Sequence, residues 1–228
     1  FYPQGGIHMK LINISLDEKG HTNKPNEEET KKISNRIFKN KTPLNIFEIA
    51  DIVGNKGYSF APAVFDGKAR KAENVTEIQL LCLDFDNDTS KGKKMTISFE
   101  KAVERSYKLG LPIAFAYETF SSVNRNKFRI VYIYCEPIVN HEFYDIMINA
   151  LLSIFPEADS MTKDISRLFF GGKGLMSPVN EEVLTGTAIF YALSQYFNTP
   201  KRMTEKIENF ALNYNNYTDL KRNKYYRK

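Results

Sequence analysis

"TEIQLLCLDFD", residues 76–86, decides how the rest of the chain is read. From Leu80 to Leu83 four apolar residues run without a break into Asp84, Phe85 and Asp86. Such a run predicts a strand covered on both faces rather than one with a wet side. Side chains alternate along a strand, so Asp84 and Asp86 fall on one face, roughly 7 Å apart along the backbone. Two like charges at the end of a buried strand repel each other, and folding alone gives no reason to pair them. Their oxygens suit a hard divalent cation such as Mg²⁺ or Mn²⁺, which keeps waters and bridges to substrate phosphates. Asp88, the third acid of the run, reads as part of the following turn.

Working outward, "YSFAPAVFDG" (58–67) predicts a strand, and "KARKAEN" (68–74) a basic connection. Downstream, a helix is expected over 98–109, capped by Ser98 or Thr96 and stopped by Gly110. Strands are expected at 113–120 and 127–134, joined by a polar turn. An amphipathic helix follows over 140–155, ended by Pro156. "SRLFFGG" (166–172) predicts a further strand, and "TGTAIFYALSQYF" (185–197) and "TEKIENFALNY" (204–214) predict helices. Upstream, 17–31 reads as a polar loop, Glu28 to Phe38 as a helix, and "TPLNIFEIADIVG" (42–54) as a short helix stopping at Gly54. Residues 76 onward therefore spell βαββαβ, the order of a ferredoxin-like or RNA-recognition-motif-like unit in an α+β fold. That order puts the two acids at the end of the central strand.

A third acid would complete a two-metal site, and "PEADSMTKDISRLFFGGKG" offers Asp159 and Asp164. Asp159 follows a helix stop and could open the next strand; Asp164 could cap a turn or pair with Arg167. Between the acids in sequence, "YETFSSVNRNKFRIVY" supplies the hydroxyls of Thr119, Ser121 and Ser122, then Arg125, Lys127 and Arg129. Alternation puts Lys127 and Arg129 on one strand face. A basic face beside an acidic rim suits a triphosphate bridged by metal, and an exposed sheet edge would also accommodate it.

Composition sets the outer limits. Hydrophobic residues make up 42% of the 228 and charged residues 26%, which is ordinary for a globular chain and excludes a disordered one. No apolar stretch approaches the length needed to span a bilayer, so no membrane partner is expected. "FYPQGGIHM" carries no secretory pattern; residues 1–8 read as vector-derived ahead of a start at Met9, and His8 is set aside. Two cysteines, Cys82 and Cys135, lie in strand-like runs and read as small core hydrophobes, which points to a reducing cytoplasm. The formal charge of +5 and pI near 9.0 allow a polyanionic partner. From Lys201 to Lys228 eight Lys/Arg stand against three Asp/Glu, interleaved with Tyr214, Tyr217, Tyr225 and Tyr226. This tail is either a solvated extension or a surface for phosphate contact with base stacking.

"LCLDFD", "YETFSS…KFRIVY" and "ADSMTKDISRLFFGGKG", in this order and spacing, resemble the three motifs of the archaeo-eukaryotic primase superfamily, in the variety found as primase-polymerases of phages, plasmids and mobile elements. The resemblance takes in "YSFAPAVFDGKARKAEN" and covers roughly residues 57 to 177. It implies an RNA-recognition-motif-like catalytic sheet (about 76–180) packed with a smaller N-terminal α/β module (about 9–75), the catalytic domain running over 9–198 and the basic extension over 199–228. It implies Asp84 and Asp86 as metal ligands for two Mg²⁺ or Mn²⁺ ions, with Asp159 as the third carboxylate and Asp164 as its fallback. Ser121, Ser122, Lys127, Arg129 and Arg167 are the expected nucleotide and phosphate contacts. Arg70, Lys173, Lys201 and Arg202 are the expected nucleic-acid contacts.

The implied activity is template-dependent nucleotidyl transfer, with nucleoside triphosphates and single-stranded DNA template or primer-template as partners. A helicase domain in the full-length protein is a further candidate partner. One departure stands out. The second family motif commonly carries a histidine on the nucleotide's phosphates, whereas here its place falls at Ser121 or Ser122, and His21 and His141 lie elsewhere. Either a lysine or arginine of "NKFR" takes the role, or nucleotide binding is weaker. Two other readings follow from the same residues. A sheet of this kind can bind single-stranded nucleic acid by stacking, without catalysis. "LDFDND" also resembles the opening motif of haloacid-dehalogenase-type phosphatases, although that motif opens its domain and the paired acids expected downstream are missing.

Overall fold

A computed structural model of the chain describes residues 10–88 and 95–198. The basic tail, with Lys201 and Arg202 and the helix expected at 204–214, lies outside the described residues, as do residues 1–9. Two sheets carry the fold. The first is antiparallel, with β1 (Ile12–Gly20) between β2 (Lys41–Leu44) and β3 (Tyr58–Ala61). The second contains β4 (Ala63–Phe65), β5 (Val75–Asp86), β6 (Phe115–Thr119), β7 (Lys127–Ile138) and β8 (Gly172–Leu175) in the order β4-β5-β7-β6-β8, with β9 (Val183–Leu184) parallel to β7. Among the described residues there are five α-helices: α1 (Glu27–Arg36), α2 (Ile46–Ala50), α3 (Phe99–Lys108), α4 (His141–Ile154) and α5 (Gly186–Tyr196).

β5 organises both cores, because its alternate residues go opposite ways. Leu81, Leu83 and Phe85 join Phe128, Ile130 and Tyr132 of β7 beneath α3 and α4, with Phe85 stacked on its register partner Phe128 at 4.7 Å between centroids. Leu80 and Cys82 face the other way, joining Val131 and Ile133 against Ile12, Ile14, Ile49 and Phe60 of the N-terminal sheet and α2. Asp84 and Asp86 continue this second series. They therefore face the side covered by the N-terminal sheet.

The helices follow their local signals. Ser98 caps α3 by accepting from Lys101 N, and Gly110, at φ 71°, ends it. Asn140 caps α4 and Thr185 caps α5 in the same way. Among the described residues no helix is long and apolar enough to cross a membrane.

Four expectations need correction. Residues 17–20 belong to β1 rather than to a loop, because Asp17, 3% exposed, is held by Arg36 of α1 at 2.6 and 3.0 Å. Residues 41–44 form β2, and the helix begins after Asn45, whose side chain and that of Glu48 make a capping box. The helix also continues past Gly54 as a wide turn over Asp51–Asn55. "YSFAPAVF" is two strands in two sheets, broken at Pro62, so the crossover from the first sheet to the second falls there. The strand expected at 166–172 is instead an extended segment with a single bridge, Phe169 to Phe60, and pairing begins at Gly172.

β5-α3-β6-β7-α4 has the βαββα connectivity expected, with β7 between β5 and β6. The last strand departs from a ferredoxin-like order. β8 pairs with β6 at the far edge, and the place beside β5 is taken by the upstream β4. The result is a mixed α+β fold built on antiparallel sheets.

Candidate active site

The three segments singled out in the sequence meet at one cleft of about 210 Å³. Asp84 and Asp86 close β5, and in the antiparallel register they stand opposite Arg129 and Lys127 of β7. Asp159 arrives from the turn after α4, where its backbone N–H donates to the carbonyl of Asp84 at 2.7 Å. That bond stitches the third acid to the strand carrying the first. The Asp159 side chain caps the short 3₁₀ turn Ser160–Lys163 by accepting from Met161 N, so it does not open a strand. Phe85, Thr119, Phe120, Ser121, Arg167, Leu168, Phe170 and Lys24 complete the lining.

Every acid in the cleft has a cation beside it. Arg129 Nη2 donates to Asp84 Oδ1 at 2.9 Å, Lys127 Nζ lies 3.0 Å from Asp86 Oδ1 and 3.2 Å from Asp88 Oδ2, and Arg167 Nη2 reaches Asp159 Oδ2 at 3.4 Å. Arg129 is 6% exposed, lies over the Phe169 ring at 4.3 Å, and also donates to the Tyr117 hydroxyl and the Phe170 carbonyl. Burial pulls its guanidinium's pKa down, but Asp84, Tyr117 and Cys82 more than reverse this, leaving it above the ordinary value. Burial likewise lowers Lys127, and Asp86 and Asp88 outweigh it in the upward direction. The neighbouring Cys82 thiol is pushed up to about 12, chiefly by burial, so it is a packing group and not a nucleophile.

Asp84, Asp86 and Asp159 are hard oxygen donors around one space, the donor chemistry of a Mg²⁺ or Mn²⁺ site. Asp84 Oδ2 and Asp86 Oδ2 accept no hydrogen bond from a described residue, so each carboxylate keeps one oxygen to offer. As they stand, no three acidic, His or Cys side chains among the described residues are gathered tightly enough to hold an ion.

Not every expected residue comes to this place. Ser121 lines the cleft, whereas Ser122 is buried in the β6–β7 turn, where its hydroxyl accepts from Lys127 N and its carbonyl from Lys173 Nζ. Asp164 is exposed and spent on a turn, accepting from the N–H and hydroxyl of Ser166, and it is absent from the lining. Arg70 lies beyond the rim, donating to the Ser166 carbonyl at 2.5 Å, and Lys173 is held at Ser122. Lys24, Phe120, Leu168, Phe170 and the buried Tyr117 were not anticipated in the site. Tyr117 sits in a strand whose pattern shows only an apolar face, and Lys24 lies in a polar loop with nothing to distinguish it.

No family model matches the sequence, and no curated protein matches it. Among solved structures, the chain is similar to the AEP domain of the cyanophage S-2L primase-polymerase (PrimPol). That similarity has a TM-score of 0.42 and 13% identity, and covers 70% of this chain and 78% of that one. Likeness at this level does not carry an activity from one chain to the other. The functional reading rests on the cleft.

Proposed function

We propose that this chain is a template-dependent nucleotidyltransferase of primase-polymerase type, joining a nucleoside triphosphate to a primer 3′-hydroxyl. The observation that carries the reading is the meeting, in one cleft, of three acids and three cations drawn from three separate sequence motifs. Charge supports it. Asp84, Asp86, Asp88 and Asp159 balance Lys24, Lys127, Arg129 and Arg167, so the cleft with its rim is near neutral. Two divalent ions would leave an excess of about four positive charges, the complement of a nucleoside triphosphate.

Mg²⁺ or Mn²⁺ held by Asp84, Asp86 and Asp159 would lower the pKa of the 3′-hydroxyl and stabilise the leaving pyrophosphate. The new bond joins the 3′-oxygen to the α-phosphorus as the bond from that phosphorus to pyrophosphate breaks, and the hydroxyl proton leaves to solvent. Lys127, Arg129 and Arg167, released from their carboxylates, stabilise charge on the triphosphate oxygens, with the Ser121 hydroxyl donating beside them. Arg129 is suited to the place of the family's usual histidine because it stays charged at any working pH.

Gel-resolved nucleotide incorporation on single-stranded DNA, with and without a primer and in Mg²⁺ and Mn²⁺, tests this. Incorporation is expected, and Asp84→Asn with Asp86→Asn should abolish it; a double variant working at the parental rate would refute the assignment. One observation favours a second reading. The acids are engaged by cations rather than gathered around an ion site, which suits a sheet that binds single strands without catalysis. Calorimetry of triphosphate binding with and without Mn²⁺ separates the two, since a binding module shows no metal-linked affinity.

A further inference from the structure

We infer that Lys24 is the residue that first captures the terminal phosphates of the incoming nucleotide, and so makes the cleft select triphosphates. This rests on the nucleotidyltransferase reading and extends it to a residue outside the motifs that suggested it. Four cations line the cleft, and three are already occupied: Lys127 by Asp86 and Asp88, Arg129 by Asp84, Arg167 by Asp159. Lys24 is exposed, and among the described residues its side chain has no hydrogen-bond or ion-pair partner. An anion entering the cleft meets Lys24 without breaking an existing pair.

The loop bearing Lys24 is built to hold it in place. Its start is pinned by His21 N–H donating to the Gly57 carbonyl at 3.1 Å. Its end is fixed by buried Pro25 and by Asn26, which caps α1 by accepting from Glu29 N at 2.8 Å. The acids that open α1 form no ion pair with the lysine among the described residues: Glu28 pairs with Lys32, Glu29 with Arg36 and Lys19, and Glu27 reaches no cation within ion-pair distance. Gly57 in turn lies against Gly171, where a Cβ would come within 2.3 Å of its backbone, so the loop is keyed to the segment carrying Arg167 and Phe170.

Position then decides which phosphate Lys24 serves. The α-phosphate must lie where Asp84, Asp86 and Asp159 meet, because bond exchange occurs there. Lys24 comes from the N-terminal sheet's loop, while those acids sit on β5 and the turn after α4. A group held between the two sides extends away from the acids, as the β- and γ-phosphates do. A lysine is suited to this contact, being a compact charge on a flexible stem that can follow the departing pyrophosphate.

Inorganic tripolyphosphate, which lacks base and sugar, isolates the contact from templating and turnover. Calorimetry with Mg²⁺ should show tripolyphosphate and ATP binding about tenfold more weakly to Lys24→Met than to the parental chain, with Lys24→Arg close to parental. Binding of AMP and of a single-stranded oligonucleotide should be unchanged, and the far-UV spectrum likewise, since Lys24 makes no contact that folding needs. Equal tripolyphosphate affinity in Lys24→Met and parental chains overturns the assignment and leaves the nucleotidyltransferase reading intact. A matching loss of oligonucleotide affinity also overturns it, by moving Lys24 to the nucleic-acid path. A parental chain that binds neither tripolyphosphate nor ATP removes both readings.

Discussion

Arg129 and Asp84 face each other across β7 and β5 as register partners, with Nη2 donating to Oδ1 at 2.9 Å. The pair holds a nearly buried cation against an acid at the mouth of the cleft. Removing one partner leaves the other's charge uncompensated, at a cost of about 3 kcal/mol, while replacing both with apolar groups costs far less. Asp84→Ala and Arg129→Met should each lower the urea midpoint strongly, and Asp84→Leu with Arg129→Met should recover most of the loss. Simple addition of the two single losses would mean the pair is not coupled as its geometry says.

Arg105 of α3 grips the chain just ahead of the third acid. It donates to both oxygens of Glu157 at 2.8 Å each and to the Ile154 carbonyl at 3.0 Å, and Glu157 is 7% exposed. Asp159 follows two residues later, tied to Asp84 by its N–H. Loosening the grip should misplace Asp159 without touching the nucleotide's cations. Arg105→Met is expected to lower kcat for incorporation by roughly tenfold to a hundredfold with KM for the triphosphate little changed. Arg105→Lys should rescue part of the loss, and a rise in KM with kcat intact would argue against a positioning role.

Two glycines in contact tie the Lys24 loop to the segment carrying Arg167 and Phe170. A Cβ on Gly171 would lie 2.3 Å from the Gly57 carbonyl carbon, and one on Gly57, which has φ 71°, would lie 2.1 Å from the His21 carbonyl oxygen. These obstacles are backbone, which cannot rotate aside. Gly171→Ala should therefore cost about 1–3 kcal/mol in chemical denaturation. It should also weaken tripolyphosphate binding, because the same contact positions the Lys24 loop. Gly174→Ala, where a Cβ meets nothing within 4 Å, is the control and should be near neutral.

How much could be read beforehand follows from where the determining interactions lie. β5, α3 and α4 announce themselves because their signals are local: an unbroken apolar run, and Ser98 and Asn140 at caps that do accept backbone N–H groups. Alternation alone also places Lys127 and Arg129 on one face, and the register sets them opposite Asp86 and Asp84. β1 is not legible in the sequence: "DEKG" looks solvated, and Asp17 is buried only because it meets Arg36 nineteen residues away. β8 was misplaced for the opposite reason. "GKGL" has poor strand propensity, yet Gly172 is needed where Tyr117 and Gly54 crowd the backbone, whereas "SRLFF" looks like a strand and serves as a packed connector. Lys24 had no local signal at all, since its meaning comes from the cations around it being taken.

Lys127 should leave a mark in the alkaline range. Burial works against its charge, but Asp86 and then Asp88 hold it above the ordinary lysine value of 10.5. A cation whose pKa is higher folded than unfolded adds stability that is fully present below 10.5 and is lost as pH rises through the folded value. Stability of the parental chain should therefore fall as pH rises above 10.5, and Lys127→Met should fall less over the same rise. Lys56, paired with Asp51 at 2.8 Å, is raised in the same direction, but it is common to both chains and cancels in the comparison. Thermal melts of the two chains across this range supply the measurement. Parallel losses would place Asp86 and Asp88 out of reach of Lys127 in solution.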